Sequence, residues 1–267
     1  MINNLISSFS SNAPLWLLMS TGVVVGVSAG FIGTFLILRR MALSGDALTH
    51  VALPGMGLAL LLGLNAFWGA WAFLILAALG IWWIKRKTHL YLETLTGIFF
   101  TFSLALGILI IPKIDLLEAL FGDIENLTVF NSYLAIFLGV TAIIILTIYR
   151  KRLMLLTISE DLAKTININA SRLDLLFLIL LGVIVALGVH VTGTLLMGAL
   201  VIIPAASAQN IARSFSGYCF WSIVFGALSI IFALPIAHFF KLAPGPIVVL
   251  SAALFFIISL MPYRFRR

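Results

Sequence analysis

No charged residue precedes Arg39, and only 9% of the 267 residues are Asp, Glu, Lys or Arg. A water-soluble domain draws about 25% of its residues from those four types to cover its surface, so that class is excluded. Uncharged stretches run from Ala47 to Ile84 and from Leu175 to Ala212. About 20 apolar residues cross a bilayer, so each stretch is long enough for a pair of spanning helices. A single cysteine, Cys219, excludes an internal disulfide, and its apolar neighbours mark it as a small packing residue. No Gly-x-x-x-x-Gly-Lys-Ser/Thr loop is present, so the chain does not cradle nucleotide phosphates in that way. The absence of His-Glu-x-x-His and Gly-x-Ser-x-Gly argues against an intramembrane protease. No basic region precedes the first apolar run, which reads as a spanning helix and not as a cleaved signal.

What remains is 63% hydrophobic, with a mean hydropathy of +1.21. The expected fold is an all-α, polytopic membrane helical bundle forming one domain over residues 1–267, because no repeat or soluble module interrupts it. Nine helices are expected, approximately at 14–38, 47–64, 66–84, 94–111, 132–149, 173–188, 192–211, 217–239 and 246–261. The net charge of +7 lies in short clusters between these runs, the pattern of loops on one side of a membrane and not of a nucleic-acid face. An extracytoplasmic N-terminus and cytoplasmic C-terminus put 14 of the 16 basic residues inside, leaving Lys113 and Lys241 outside. Gly22, Gly26 and Gly30 share one face of the first helix, where a neighbour can approach closely.

Polar residues inside the apolar runs narrow the function. Asp46 and His50 are four apart, on one helical face, and a carboxylate with a neutral imidazole at that spacing can share a divalent cation. Pro54 cannot donate to the carbonyl of His50, leaving a free acceptor at the same level. The same spacing also fits a simpler arrangement, with Asp46 capping the second helix and His50 bonded to a neighbouring one. Glu93 suits the inner start of a helix by its charge. Asp115, Glu118, Asp123 and Glu125 face one Lys113 in an external loop, a net negative surface for cations or a basic partner. Pro204 opens a small-residue stretch suited to tight packing, and a lone His190 near an outer helix end reads as structural. In the longest cytoplasmic loop, Ser159, Glu160, Asp161, Leu162, Ala163 and Lys164 have the N-cap, acidic start and basic end of a short docking helix.

Arg39-Arg40-Met41 through Gly45-Asp46 and His50 to Pro54-Gly55 resembles the signature of metal-ion ABC transporter permeases, most of all those for zinc. The likeness continues through Glu93 to Ile98, Leu120 to Ile124, Thr157 to Ala163, Gly198 to Ala208 and Pro244 to Leu250. The resemblance implies a permease without catalytic residues or a permanently bound cofactor. It would work as a dimer with cytoplasmic ABC ATPases and an extracytoplasmic metal-binding protein, in a bacterial inner membrane. It further implies that Asp46 and His50 are translocation-path ligands for a divalent metal, first Zn2+, with manganese or ferrous iron as alternatives. The segment from Ser159 to Asn169 would be the coupling helix. Lys241 departs from the pattern, standing where the family usually has an acidic residue. His238, one turn earlier, is then the candidate accessory ligand. An ATP-independent carrier and a membrane scaffold remain the competing readings.

Overall fold

The second helix begins five residues before the uncharged run, at Ala42 and not at Ala47, so Asp46 lies in its second turn and caps nothing. This difference comes from a computed structural model, which describes residues 13–88, 90–110, 127–159 and 169–264, without the side chains at 190, 191, 195 and 262–264. Among these residues the chain forms nine helices: α1 Leu15–Leu38, α2 Ala42–Leu61, α3 Ala66–Lys87, α4 Leu92–Ile110, α5 Val129–Ile158, α6 Ala170–Thr192, α7 Thr194–Ile211, α8 Phe215–Phe240 and α9 Pro244–Arg264. Seven are long and apolar enough to cross a membrane. The other two, α2 and α7, contain Pro54 and Pro204, and the apolar run described in α7 is Leu196–Ile211.

Side chains close the helix starts. Asn65, Thr128, Asn169 and Ser214 each accept a hydrogen bond from a first-turn amide of α3, α5, α6 and α8, respectively. Lys85, Arg86 and Lys87 fall in the last turn of α3, where the helix dipole favours positive charge. Arg150, Lys151 and Arg152 do not end α5, which continues to Ile158. Their long stems can lie along apolar surface while their charges reach water, so a basic cluster need not terminate a helix. Arg152 lies over the ring of Tyr149, with 5.6 Å from Cζ to the centroid.

Helices α2, α3 and α4 pack together, as do α7, α8 and α9, with α1 and α6 between the two groups. Burial follows this plan. The most apolar windows of α1 and α6 are 72% buried, whereas those of α4, α5 and α9 are 22–28% buried and present apolar side chains outward. The small-residue face of α1 meets α8. A side chain at Gly26 would collide with the carbonyl of Gly226, and one at Gly30 with the carbonyl of Ser222. The Ser222 hydroxyl donates to the Gly30 carbonyl across this seam. Cys219 is free and buried, as its apolar surroundings implied. Helix α2 touches both groups, packing on α3 and α4 and also on α7, which sets the position of the candidate site.

Candidate metal pathway

A tight turn aims α2. Arg40 adopts a left-handed backbone with φ 57°, while the Met41 amide donates to the Leu36 carbonyl at 2.8 Å. A non-glycine residue pays about 1–2 kcal/mol for that conformation, which the closed turn offsets. The second turn of α2 carries Asp46, whose carbonyl accepts from Thr49 Oγ1 at 2.7 Å. Gly198 of α7 lies against Asp46, and a Cβ there would sit 2.9 Å from the Asp46 Cα and collide with Oδ1. The absence of that side chain is what admits the carboxylate.

Asp46 lines a cavity of about 300 Å³ between α2 and α4, together with Ser44, Glu93, Thr96 and Phe100. Its polar floor is the Ser44–Thr96 hydroxyl pair at 2.7 Å. One turn beyond Asp46, the His50 ring packs against Phe100 at 5.4 Å between centroids. His50 Nδ1 is buried without a hydrogen-bond partner among the described residues. Pro54 lies within α2, at the position that withholds a donor from the His50 carbonyl. The pair thus combines a carboxylate, an imidazole and a backbone acceptor along one helix, the oxygen and nitrogen donors that first-row divalent cations accept. No group of three or more His, Cys, Asp or Glu suited to a metal exists among the described residues.

The other expected site residues are not gathered here. His238 is exposed in the last turn of α8 and lines a separate cavity of about 230 Å³ with Ala13, Leu18 and Pro244. That cavity adjoins the start of α1, whereas α2 follows its end, and α1 is about 36 Å long at 1.5 Å per residue over its 24 residues. Lys241 caps α8 in a left-handed conformation with φ 53° and is exposed. Ser159 ends α5, while Glu160, Asp161, Leu162, Ala163 and Lys164 lie outside the described residues. So do Lys113, Asp115, Glu118, Asp123 and Glu125. Glu93 falls in the first turn of α4, as its charge suggested, and also lines the Asp46 cavity.

Two contributors escaped the sequence reading. Gly198 stood only within a small-residue motif, and nothing in its neighbours says which side chain it admits. Asp174 went unremarked, although an acidic residue at the edge of a 38-residue uncharged run signals a buried partner. It is 4% exposed and binds Arg39 and Lys85.

Known proteins resemble the chain along most of its length. The sequence profile of the ABC 3 transport family matches residues 15–263. The manganese import system permease protein ScaB of Streptococcus gordonii is 35% identical over 243 residues, covering 90% of this chain and 87% of that protein. The high-affinity zinc uptake system membrane protein ZnuB of Haemophilus influenzae is 32% identical, covering 90% of this chain and 94% of that one. Among solved structures, PsaBC from Streptococcus pneumoniae in complex with Fab aligns at a TM-score of 0.83 and 34% identity, over 100% of this chain and 98% of that chain. A carboxylate–imidazole pair on a proline-interrupted helix, a helical bundle with seven helices able to cross a membrane among the described residues, and a family match over residues 15–263 lead to one conclusion: the chain belongs to the ABC 3 transport family and is a metal-ion permease of the ABC transporter type.

Proposed function

We propose that this chain is the membrane-spanning subunit of an ATP-driven importer, with Zn2+ as its cargo and Asp46 and His50 as ligands on the path. The observation that carries the site is the pair itself: two donors on one face of α2, with a buried imidazole nitrogen that has no partner among the described residues. Imidazole favours zinc, whereas carboxylate and water also suit manganese, so the same pair accommodates the cargo of either named relative. Two donors are too few for a coordination shell, which favours a homodimer that brings two pairs together. The chain has no phosphate-binding loop, so ATP hydrolysis belongs to a cytoplasmic ABC ATPase that engages the segment around residues 159–163. An extracytoplasmic binding protein delivers the metal to a bacterial inner membrane, with the N-terminus of the permease outside. His238 serves as an accessory outer ligand, and Lys241 is a bystander.

The test is uptake of radiolabelled zinc and manganese in cells lacking other importers. Asp46→Ala and His50→Ala are expected to abolish uptake at unchanged membrane levels. Normal uptake by both variants removes the site, and uptake that survives loss of the ATPase favours an ATP-independent carrier. His238→Ala should lower uptake several-fold while Lys241→Ala leaves it intact, and the reverse pattern discards the outer ligand.

A further inference from the structure

Asp174 does not line the Asp46 cavity, yet it is the most heavily engaged carboxylate among the described residues. Arg39 Nη1 donates to its Oδ1 at 2.9 Å, and Lys85 Nζ pairs with its Oδ2. The Arg39 guanidinium also lies 4.5 Å above the centre of the Phe177 ring, one turn further along α6. Its Nε and Nη2 are buried without hydrogen-bond partners, so Asp174 is its one anionic contact among the described residues. A second tie reinforces the first, because Trp82 Nε1 donates to the Ser171 carbonyl at 2.8 Å. The start of α6 is therefore held to the ends of α1 and α3.

Sequence order gives this junction its significance. Helix α6 begins at Ala170, directly after segment 159–169, and α5 ends at Ile158 directly before it. Asp174 therefore lies one turn into the helix that follows that segment. On the opposite side, Arg39 is followed by the hydrogen-bonded turn through Arg40 and Met41, and then by α2 with Asp46 and His50. The two arms of the junction differ. The Arg39 side chain is 7% exposed, whereas that of Lys85 is 30% exposed. Lys85, like Arg39, borders a cavity of about 700 Å³ that is also lined by Glu93, Leu156 and Asp174, but its side chain is the more exposed of the two. Release of Lys85 into that cavity leaves Arg39 and Asp174 as a neutral buried pair, while release of Arg39 would strand a buried charge. Glu93 lines the same cavity and also borders the Asp46 cavity.

We infer that Asp174 is a positioning residue for transport, the joint through which segment 159–169 moves the α1–α2 turn, with Lys85 as its exchangeable arm. The inference rests on the proposed coupling role of that segment. It is tested with the permease and its ATPase together in liposomes, measuring zinc uptake and ATP hydrolysis in the same sample. Lys85→Met should raise the ATP consumed per zinc several-fold without moving the thermal midpoint, and Lys85→Arg should restore the ratio. Asp174→Asn strands Arg39 and threatens folding, so Lys85→Met is the deciding variant. A wild-type ratio in Lys85→Met, or a change that merely tracks lost thermal stability, overturns the joint and leaves the proposed function standing. Zinc uptake by the wild type without ATP removes the coupling reading and the joint with it.

Discussion

Gly198 is where a single atom decides the geometry of the site. A methyl group there meets the Asp46 backbone and carboxylate, so either α2 or α7 has to shift. Overpacking of this kind costs about 1–3 kcal/mol. Gly198→Ala is therefore expected to insert normally, melt several degrees earlier in detergent and lose most metal uptake. Equal uptake and an unchanged melt would mean that Asp46 tolerates displacement. Asp46, His50 and Pro54 were legible in the sequence because spacing alone sets their shared face and the withheld donor. The apposition of Gly198 and Asp46 was not legible, since it depends on how α7 crosses α2. Asp174 shows a different limit: its isolation was visible, but its partners come from helices that begin or end far away in sequence.

Helix α1 shows how an element can be foreseen and its partner cannot. The Gly22, Gly26 and Gly30 stripe announces close packing, and the neighbour proves to be α8 through Gly226 and Ser222. Valine at position 30 would press on the Ser222 carbonyl and break the hydroxyl bond to Gly30. We expect Gly30→Val to lower the thermal midpoint by more than Gly198→Ala, because it separates two backbones that otherwise touch. An unchanged midpoint in a detergent melt would show that the seam contributes little. The sequence places the start of α2 at 47, directly after the charge of Asp46, whereas the Arg40–Met41 turn begins the helix at Ala42. For the coupling segment, Glu160→Lys together with Asp161→Lys should uncouple the ATPase without unfolding the permease. Two reversed charges oppose the dipole of the proposed helix and disturb a docked surface. Co-purification of the ATPase and zinc uptake provide the check, and both unchanged would contradict the assignment.

Across the whole molecule, the distribution of charge predicts orientation. The basic clusters at 39–40, 85–87, 150–152 and 264–267 belong on the cytoplasmic side if the N-terminus is outside. In a Cys219→Ser background, a cysteine placed at position 241 should react with an impermeant maleimide in intact cells, while one at position 151 should react only after lysis. The opposite pattern would invert the membrane orientation and with it the direction assigned to α2. The proposed dimer makes a further demand, because the chain provides one Asp46–His50 pair and no three-residue metal group among its described residues. Permease chains covalently linked in pairs, with one copy carrying Asp46→Ala, should therefore lose most uptake and not merely half of it.

Hydrophobic run length, charge clustering and the Asp46–His50–Pro54 spacing determined the membrane class, the helical architecture and the candidate ligands from sequence. Each depends on residues near one another along the chain and on the inability of a bilayer to satisfy exposed backbone groups. Among the described residues seven helices are long and apolar enough to span, and α2 falls short because Asp46, Thr49 and His50 interrupt its apolar run. Only the tertiary structure decided that α2 lies between two helix groups, that Gly198 makes room for Asp46 and that Asp174 joins α1, α3 and α6. Those contacts join segments up to 152 residues apart, between Asp46 and Gly198. Local periodicity carries no information about which apolar face meets which, because in lipid the packing of small residues and buried charges selects the partners.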